Sequence, residues 1–385
     1  MLKIKKYSRI IDLSLALKKS SQFLFGARGT GKSFLIRENL NSSKYLLIDL
    51  LKTSLYLRLA ENPSLLEDII VESKKKSIII DEIQKLPILL DEVHRLIEEK
   101  GYHFLLTGSS ARKLKRGKAN MLAGRARKLT LHPLNFKELN DDFNLHEYLL
   151  WGGLPQIYQI EDRKEFLESY IQIYIKEEIL AEQLARQLPP FSRFLKVSAL
   201  SSGELINFTQ VASDAQLPSS TVKNYFEVLE DTMIGNLIEP WTESKKRKAI
   251  QTGKFYFFDI GVRNRLLDIN EIPEKSDLFG KAFEHFIFME LKSYINYNSP
   301  STTLNFWRSV NHQEVDFILG NLMAIEVKSK NKVSEREALH LQALKEEKKH
   351  KYFIVVSQDP INREKNGILY LHWKKFLNRL WNKVF

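Results

Sequence analysis

Eight residues near the start of the chain limit its fold more than any other stretch. Gly26-Ala27-Arg28-Gly29-Thr30-Gly31-Lys32-Ser33 satisfies G-x-x-x-x-G-K-[ST], between the apolar run Phe23 to Phe25 and the helix-like "SFLIRENL". Such a loop needs a buried strand before it and a helix N-terminus after it, so the flanks predict an α/β fold with a parallel sheet. The glycines let backbone N–H groups curl around phosphate, Lys32 would neutralise β and γ oxygens, and Ser33 would ligate Mg²⁺. ATP and Mg²⁺ are the expected cofactors.

A second motif lies where such a sheet would place it. In "KSIIIDEIQKLP" the apolar Ser77–Ile80 reads as a buried parallel strand that ends in Asp81 and Glu82. Asp81 would hold Mg²⁺ through its water shell, and Glu82 would orient and deprotonate the attacking water. Adjacent acids after a strand can also cap the next helix. "YHFLLTGSSARKL" reads as another buried strand, and either Thr107 or Ser109 at its end could reach the γ-phosphate or the lytic water.

This order of elements resembles an AAA+ ATPase, in which Thr107 or Ser109 would fill the sensor-1 position. Further on, "LAGRARKLTLHPLNFKEL", "WGGLPQIY" and "YIQIYIKEEI" extend the resemblance to a family of prokaryotic AAA+ ATPases. Members carry a phosphate loop, a "DEIQ" strand end, a "TGSS" strand end and a C-terminal nuclease-like domain. The resemblance implies an arginine donated in trans, with Arg125 and Arg127 as candidates, and hence a homo-oligomer, a hexameric ring or an open assembly. Both could equally be surface or phosphate-backbone arginines.

After Pro189-Pro190, which would break a helical region, the pattern changes. "LINFTQVASDAQLPSSTVKNYFEVLEDTMIGNLIEPW" reads as helix, turn, then a helix capped by Ser219 or Ser220 with Val222, Tyr225, Phe226 and Leu229 inside. Short strands in "MIGNLIEPW" and "KFYFFD" flank a basic loop, and the whole resembles a winged helix. Thr221, Lys223 and Asn224 would face a DNA groove, and Lys245, Lys246, Arg247 and Lys248 would touch phosphates. Winged helices also serve as protein-binding or lid modules.

Towards the C-terminus, "LFGKAFEHFIFMELKSY" is a helix carrying Glu284 among apolar residues. "LNFWRSVNHQEVDFILGNLMAIEVKSK" then places Asp316 on one strand and Glu326 and Lys328 on the next. This pattern resembles the PD-(D/E)XK nucleases, in particular the branch that includes archaeal Holliday-junction resolvases. Alternation predicts one apolar face made of Val315, Phe317, Leu319, Met323, Ile325 and Val327, with Asp316, Glu326 and Lys328 on the other. Placing Asp316 opposite Glu326 requires an odd loop, so a three-residue turn, Gly320 to Leu322, or a bulge is expected. The resemblance implies Mg²⁺ on Glu284, Asp316 and Glu326, with Lys328 activating water; a salt-bridged, non-catalytic hairpin fits the same residues.

Composition narrows the partners. The 385 residues predict several domains: 1–138 a P-loop AAA+ core, 139–200 a helical lid, 201–268 a winged helix, and 269–385 an α/β restriction-endonuclease-like domain. Cys is absent, which excludes disulfides and thiolate metal sites, and no run is apolar enough for a membrane span or signal peptide, so a cytoplasmic location and no membrane partner are expected. A net charge of +12 favours a polyanion, and eight Lys or Arg with no acid lie between Ala111 and Leu131. The combined expectation is an ATPase that binds and remodels DNA, branched four-way junctions by analogy, with Mg²⁺-dependent strand cleavage as a further activity. The rival expectation is a nucleotide-controlled switch that acts on a protein partner through an inert C-terminal docking domain.

Overall fold

The computed structural model describes residues 5–40, 43–110, 121–175, 188–244, 247 and 249–385. Its N-terminal part is built on β1 (Ser21–Phe25), β2 (Tyr45–Asp49), β3 (Ser77–Asp81), β4 (His103–Gly108) and β5 (Ala126–Thr130). They form one all-parallel sheet in the order β2-β3-β4-β1-β5. Alternation along these strands serves two cores. Phe23, Phe25, Ile78, Ile80, Phe104 and Leu106 face Leu66, Ile70, Leu89 and Val93 of two helices. Leu24, Ile79 and Leu105 face Leu13, Leu17, Leu35 and Ile36 of two others. Burial on both faces is why these strands read as unbroken apolar runs.

Short helices Leu145–Trp151 and Arg163–Ser169 follow, the second continuing as a π-helical turn, Tyr170–Ile175. The region before Pro189 and Pro190, residues 176–187, lies outside the described residues. The two prolines lie in the first turn of Leu188–Leu200, where a missing N–H costs nothing. Helices Phe208–Ala215 and Ser219–Asp231 meet at a tight turn with Gln216 left-handed (φ 55°). The second helix starts one or two residues earlier than the expected caps Ser219 or Ser220 imply: Pro218 is its N-cap, without a side-chain cap bond. Val222, Tyr225, Phe226 and Leu229 are buried against Phe191, Phe194 and Phe255. An antiparallel pair follows, β6 (Gly235–Ile238) and β7 (Lys254–Phe257).

The C-terminal part places the 22-residue helix Asp277–Asn298 against a six-stranded mixed sheet. Its strands are β8 (Leu304–Arg308), β9 (Glu314–Leu319), β10 (Met323–Lys328), β11 (Tyr352–Ser357), β12 (Arg363–Lys365) and β13 (Ile368–His372), in the order β12-β13-β11-β10-β9-β8. The β9–β10 turn is the three-residue Gly320-Asn321-Leu322, with Leu319 opposite Met323 and Phe317 opposite Ile325. The expected single apolar face does not form. A register shift between β8 and β9, where Asn305 pairs with Ile318 but Trp307 with Val315, sends Val315 to the opposite side. There it packs with Trp307, Ile318 and Ala324 under Leu341 and Leu344 of helix Leu339–Lys345, so both faces are covered. Among the described residues no helix is long and apolar enough to cross a membrane.

Candidate functional site

The phosphate loop leaves β1 at Phe25 and enters helix Lys32–Asn39, as its composition requires. Gly29 (φ 80°) and Gly31 (φ 95°) occupy left-handed backbone that a Cβ would strain, which gives the loop its curl. Within it, Thr30 Oγ1 donates to Ala27 O (2.8 Å), while buried Lys32 Nζ reaches Gly26 O (2.7 Å) and Ala27 O (3.3 Å). Two residues that the motif did not signal clamp this loop. Arg9 Nη1 donates to Thr30 O (3.0 Å), and Tyr170 OH donates to Arg28 O (2.8 Å).

Parallel pairing of β3 with β4 and of β4 with β1 brings the catalytic candidates to one edge. Ser33 Oγ lies 3.4 Å from Asp81 Oδ2, so the hydroxyl and carboxylate that would bracket Mg²⁺ are adjacent, and the donor set fits that ion. Thr107 donates to Asp81 Oδ1, and its oxygen accepts the Glu82 N–H (3.1 Å). Ser109 is two residues further and meets Gln84 Nε2 instead (3.2 Å). Gln84 Nε2 also donates to Glu82, so Gln84 fixes the candidate base. No role for it was assigned from sequence, although it stands two residues after Glu82.

The two arginines differ. Arg125 is held by Glu98, whereas Arg127 is exposed on edge strand β5. Of the other basic residues in that region, Arg112, Lys113, Lys115, Arg116 and Lys118 lie outside the described residues.

A second cluster gathers where β7 meets the C-terminal sheet. Asp316 Oδ2 accepts the Val327 N–H (2.7 Å), which places it beside Glu326, and Lys328 Nζ sits 2.6 Å from Glu326 Oε1. Glu284 accepts from Tyr256 OH (2.5 Å). Lys254, absent from the expected site, extends its ammonium to Glu314 Oε1 (2.5 Å) and towards Glu284 Oε1 (3.9 Å). Burial lifts the Glu284 carboxyl to about 7, with Lys254 opposing and Asp316 adding to the rise. Burial, Asp316 and Glu284 raise Glu326 well above the usual range against Lys328. Burial alone would lower Lys254 and Lys328, but the surrounding carboxylates hold both above the ordinary lysine range.

Glu326 Oε2 is buried without a partner among the described residues, as a metal ligand would be. Yet among the described residues no three carboxylate or imidazole groups stand close enough to share an ion. The two lysines supply the positive charge instead. Glu284, Asp316 and Glu326 are therefore neighbours here, but their arrangement does not fit the expected Mg²⁺ cage.

On helix Ser219–Asp231, Lys223 and Asn224 are exposed and Thr221 is half-buried, beside exposed Glu227 and Glu230. Arg247 does not offer itself to phosphate. Its guanidinium bonds Glu346 (3.0 Å) and Ala343 O (3.0 Å). Lys245, Lys246 and Lys248 lie outside the described residues.

Comparison with known proteins agrees with the first site. Residues 18–140 match an AAA domain family, which supports a P-loop ATPase of AAA type and nucleotide binding, a function that usually involves Mg²⁺. Residues 142–272 match a domain of unknown function, DUF8612, and residues 279–376 another, DUF4143. An uncharacterised protein of Methanocaldococcus jannaschii, MJ1544, is 24% identical over 76% of this chain and 71% of its own length. The uncharacterised Rv2008c of Mycobacterium tuberculosis is 25% identical over 62% of this chain and 55% of its own, so the match spans little more than half of that relative.

Proposed function

We propose that this chain is an AAA-type ATPase that couples ATP binding and hydrolysis to the gripping and remodelling of DNA, with four-way junctions as the preferred form. One helix carries this reading. Asp277–Asn298 bears Glu284 of the carboxylate cluster and, near its other end, Tyr297, whose OH lies 3.3 Å from Arg9 Nη2. The same arginine holds Thr30 O in the phosphate loop. A rod rising about 1.5 Å per residue thus joins the two clusters, so a shift in the loop can reach the C-terminal sheet.

In the ATPase step the loop N–H groups and Lys32 bind the triphosphate, Ser33 and Asp81 would hold Mg²⁺, and Glu82, fixed by Gln84, takes a proton from the attacking water. Bound Mg²⁺ would neutralise charge on the phosphates. Arg127 is the proposed trans arginine, because Arg125 is occupied by Glu98. The active form is then an oligomer.

The test is the ATP hydrolysis rate of the purified chain, alone and with single-stranded, duplex and junction DNA over a salt series. Stimulation that is greatest with the junction and fades as salt rises is expected. Lys254 favours a second reading for the C-terminal part. Where lysines neutralise the carboxylates, the sheet serves as a non-cleaving docking module, and no response to any DNA would direct the search to a protein partner. Cutting in Mg²⁺ that disappears in Glu326→Ala and Lys328→Ala would exclude that second reading.

A further inference from the structure

Strand β7 carries one residue that its own core does not use. Alternation sends Phe255 and Phe257 into the core shared with helices Leu188–Leu200 and Ser219–Asp231. Lys254 and Tyr256 point the other way, towards helix Asp277–Asn298 and the C-terminal sheet. Lysine is among the side chains least often fully buried, yet Lys254 is 4% exposed. Its ammonium lies 2.5 Å from Glu314 Oε1, 3.9 Å from Glu284 Oε1 and 5.3 Å from the centre of the Phe306 ring. Burial works against its charge, and Glu284, Asp316 and Glu314 sustain it.

Four carboxyl groups meet at this joint, Glu284, Glu314, Asp316 and Glu326, and each cation beside them is engaged. Lys328 Nζ is on Glu326 Oε1 (2.6 Å), Arg308 Nη1 on Glu314 Oε2 (3.1 Å) and Lys254 between Glu314 and Glu284. Of these three, Lys328 and Arg308 belong to the same sheet as Glu314, Asp316 and Glu326; Lys254 is brought in from the hairpin before it. That hairpin holds Glu284 twice, because Tyr256 OH also donates to it (2.5 Å). Glu326 is 4% exposed, and its Oε2 has no partner among the described residues. A buried carboxyl oxygen without a donor is costly, so the cluster has an acceptor for a cation that the chain does not supply.

We propose that Lys254 is a removable internal counter-ion: while β7 is docked it closes the carboxyl cluster to divalent metal, and when β7 withdraws the cluster takes one divalent cation. Docking explains why Glu284, Asp316 and Glu326 are neighbours without sharing an ion position. Lys254 and Tyr256 draw Glu284 to β7, and the ammonium supplies the charge that a metal would bring. Lysine and metal compete for the same carboxyls, so the coupling is reciprocal. Docked β7 weakens metal binding, and bound metal loosens β7 from the sheet.

The probe is Mn²⁺, titrated into full-length chains that all carry Asp81→Asn, so that the phosphate-loop site lacks its carboxylate. Neither DNA nor nucleotide is present, so the outcome stands apart from the ATPase assay that tests the remodelling of DNA. Adding Lys254→Met to this parent should tighten binding of one Mn²⁺ by at least about tenfold, read from the paramagnetic resonance of free Mn²⁺. Mn²⁺ should also raise the urea midpoint of Lys254→Met and leave that of the parent unmoved. Lys254→Arg, which keeps the cation, should behave as the parent, and Glu326→Gln added to Lys254→Met should cancel the gain. Equal Mn²⁺ affinity in parent and Lys254→Met, an equal gain in Lys254→Arg, or a gain that survives Glu326→Gln would overturn the proposal. Should Lys254→Met be unfolded in metal-free buffer, Mn²⁺ must restore its cooperative urea transition, and failure to restore it rejects the site.

Discussion

Thr107 uses one hydroxyl twice, as donor to Asp81 and as acceptor of the Glu82 N–H, so it fixes relative to each other the two carboxylates proposed to hold the metal and to activate water. Among the described residues Ser109 reaches only the amide of Gln84. Thr107 lies on β4 and Ser109 one residue past its end, and sequence alone could not separate them; their different hydrogen-bond partners do. Thr107→Val should therefore slow ATP turnover by roughly tenfold to a hundredfold with ATP affinity retained, while Ser109→Ala costs a few-fold at most. Glu82→Gln should lower turnover by about 10²- to 10⁴-fold and leave binding intact. Steady-state hydrolysis beside equilibrium nucleotide binding checks all three, and equal effects of Thr107→Val and Ser109→Ala would reverse the assignment. Arg9 and Tyr170 show the limit of motif reading: they act on the loop from 21 and 142 residues away in sequence, a distance no local pattern spans.

At the scale of elements, the odd hairpin loop was legible because side-chain parity leaves few ways to set Asp316 beside Glu326. The displacement of Val315 was not, since it depends on pairing with a third strand, β8. The joint between helices Leu145–Trp151 and Ile260–Leu266 was equally hidden. There Asp259 accepts the N–H groups of Gly153 (2.8 Å) and Val262 (3.1 Å), and an added Cβ at Gly261 would stand 2.0 Å from Trp151 O. Backbone cannot yield as a side-chain tip can. Gly261→Ala should thus cost about 3 kcal/mol or more, read as a lower urea midpoint. Gly280→Ala is the contrast: its Cβ would sit an ordinary 3.5 Å from Ser329 Oγ, and in that helix it should gain about 0.5 to 1 kcal/mol. Lys254 joins β7 to the C-terminal sheet in the same way. Lys254→Met removes the cation that Glu284 and Glu314 share, leaving Glu314 only Arg308 (3.1 Å), and should destabilise by about 3 kcal/mol.

Across the whole molecule, the joints between parts are made with buried carboxyls, and this sets how stability responds to pH. Burial lifts Asp259 to about 6, Glu284 to about 7 and Glu290 to about 8. Glu290 accepts from Phe136 N (2.7 Å) and Trp381 Nε1 (2.7 Å), tying the segment after β5 to the last helix, Trp373–Trp381. A carboxyl raised in the folded state holds its proton more tightly than in the unfolded chain, so its contribution falls as pH climbs from the unfolded value to the folded one. His132 and His285, both pushed down to about 3 by burial, act oppositely, but their gain is complete once pH passes the ordinary histidine value of 6.5. Above that point Glu284, Glu290 and the likewise raised Glu326 dominate. The urea midpoint of the full chain should decline between about pH 6.5 and 8.5, and Glu290→Gln, which cannot ionise, should flatten that decline whatever it does to absolute stability. A midpoint that rises over the interval, or an unchanged slope in Glu290→Gln, would mean that Glu290 is already ionised in the folded protein. The joint from Phe136 to Trp381 would then be held by a carboxylate, and alkaline pH would leave it intact.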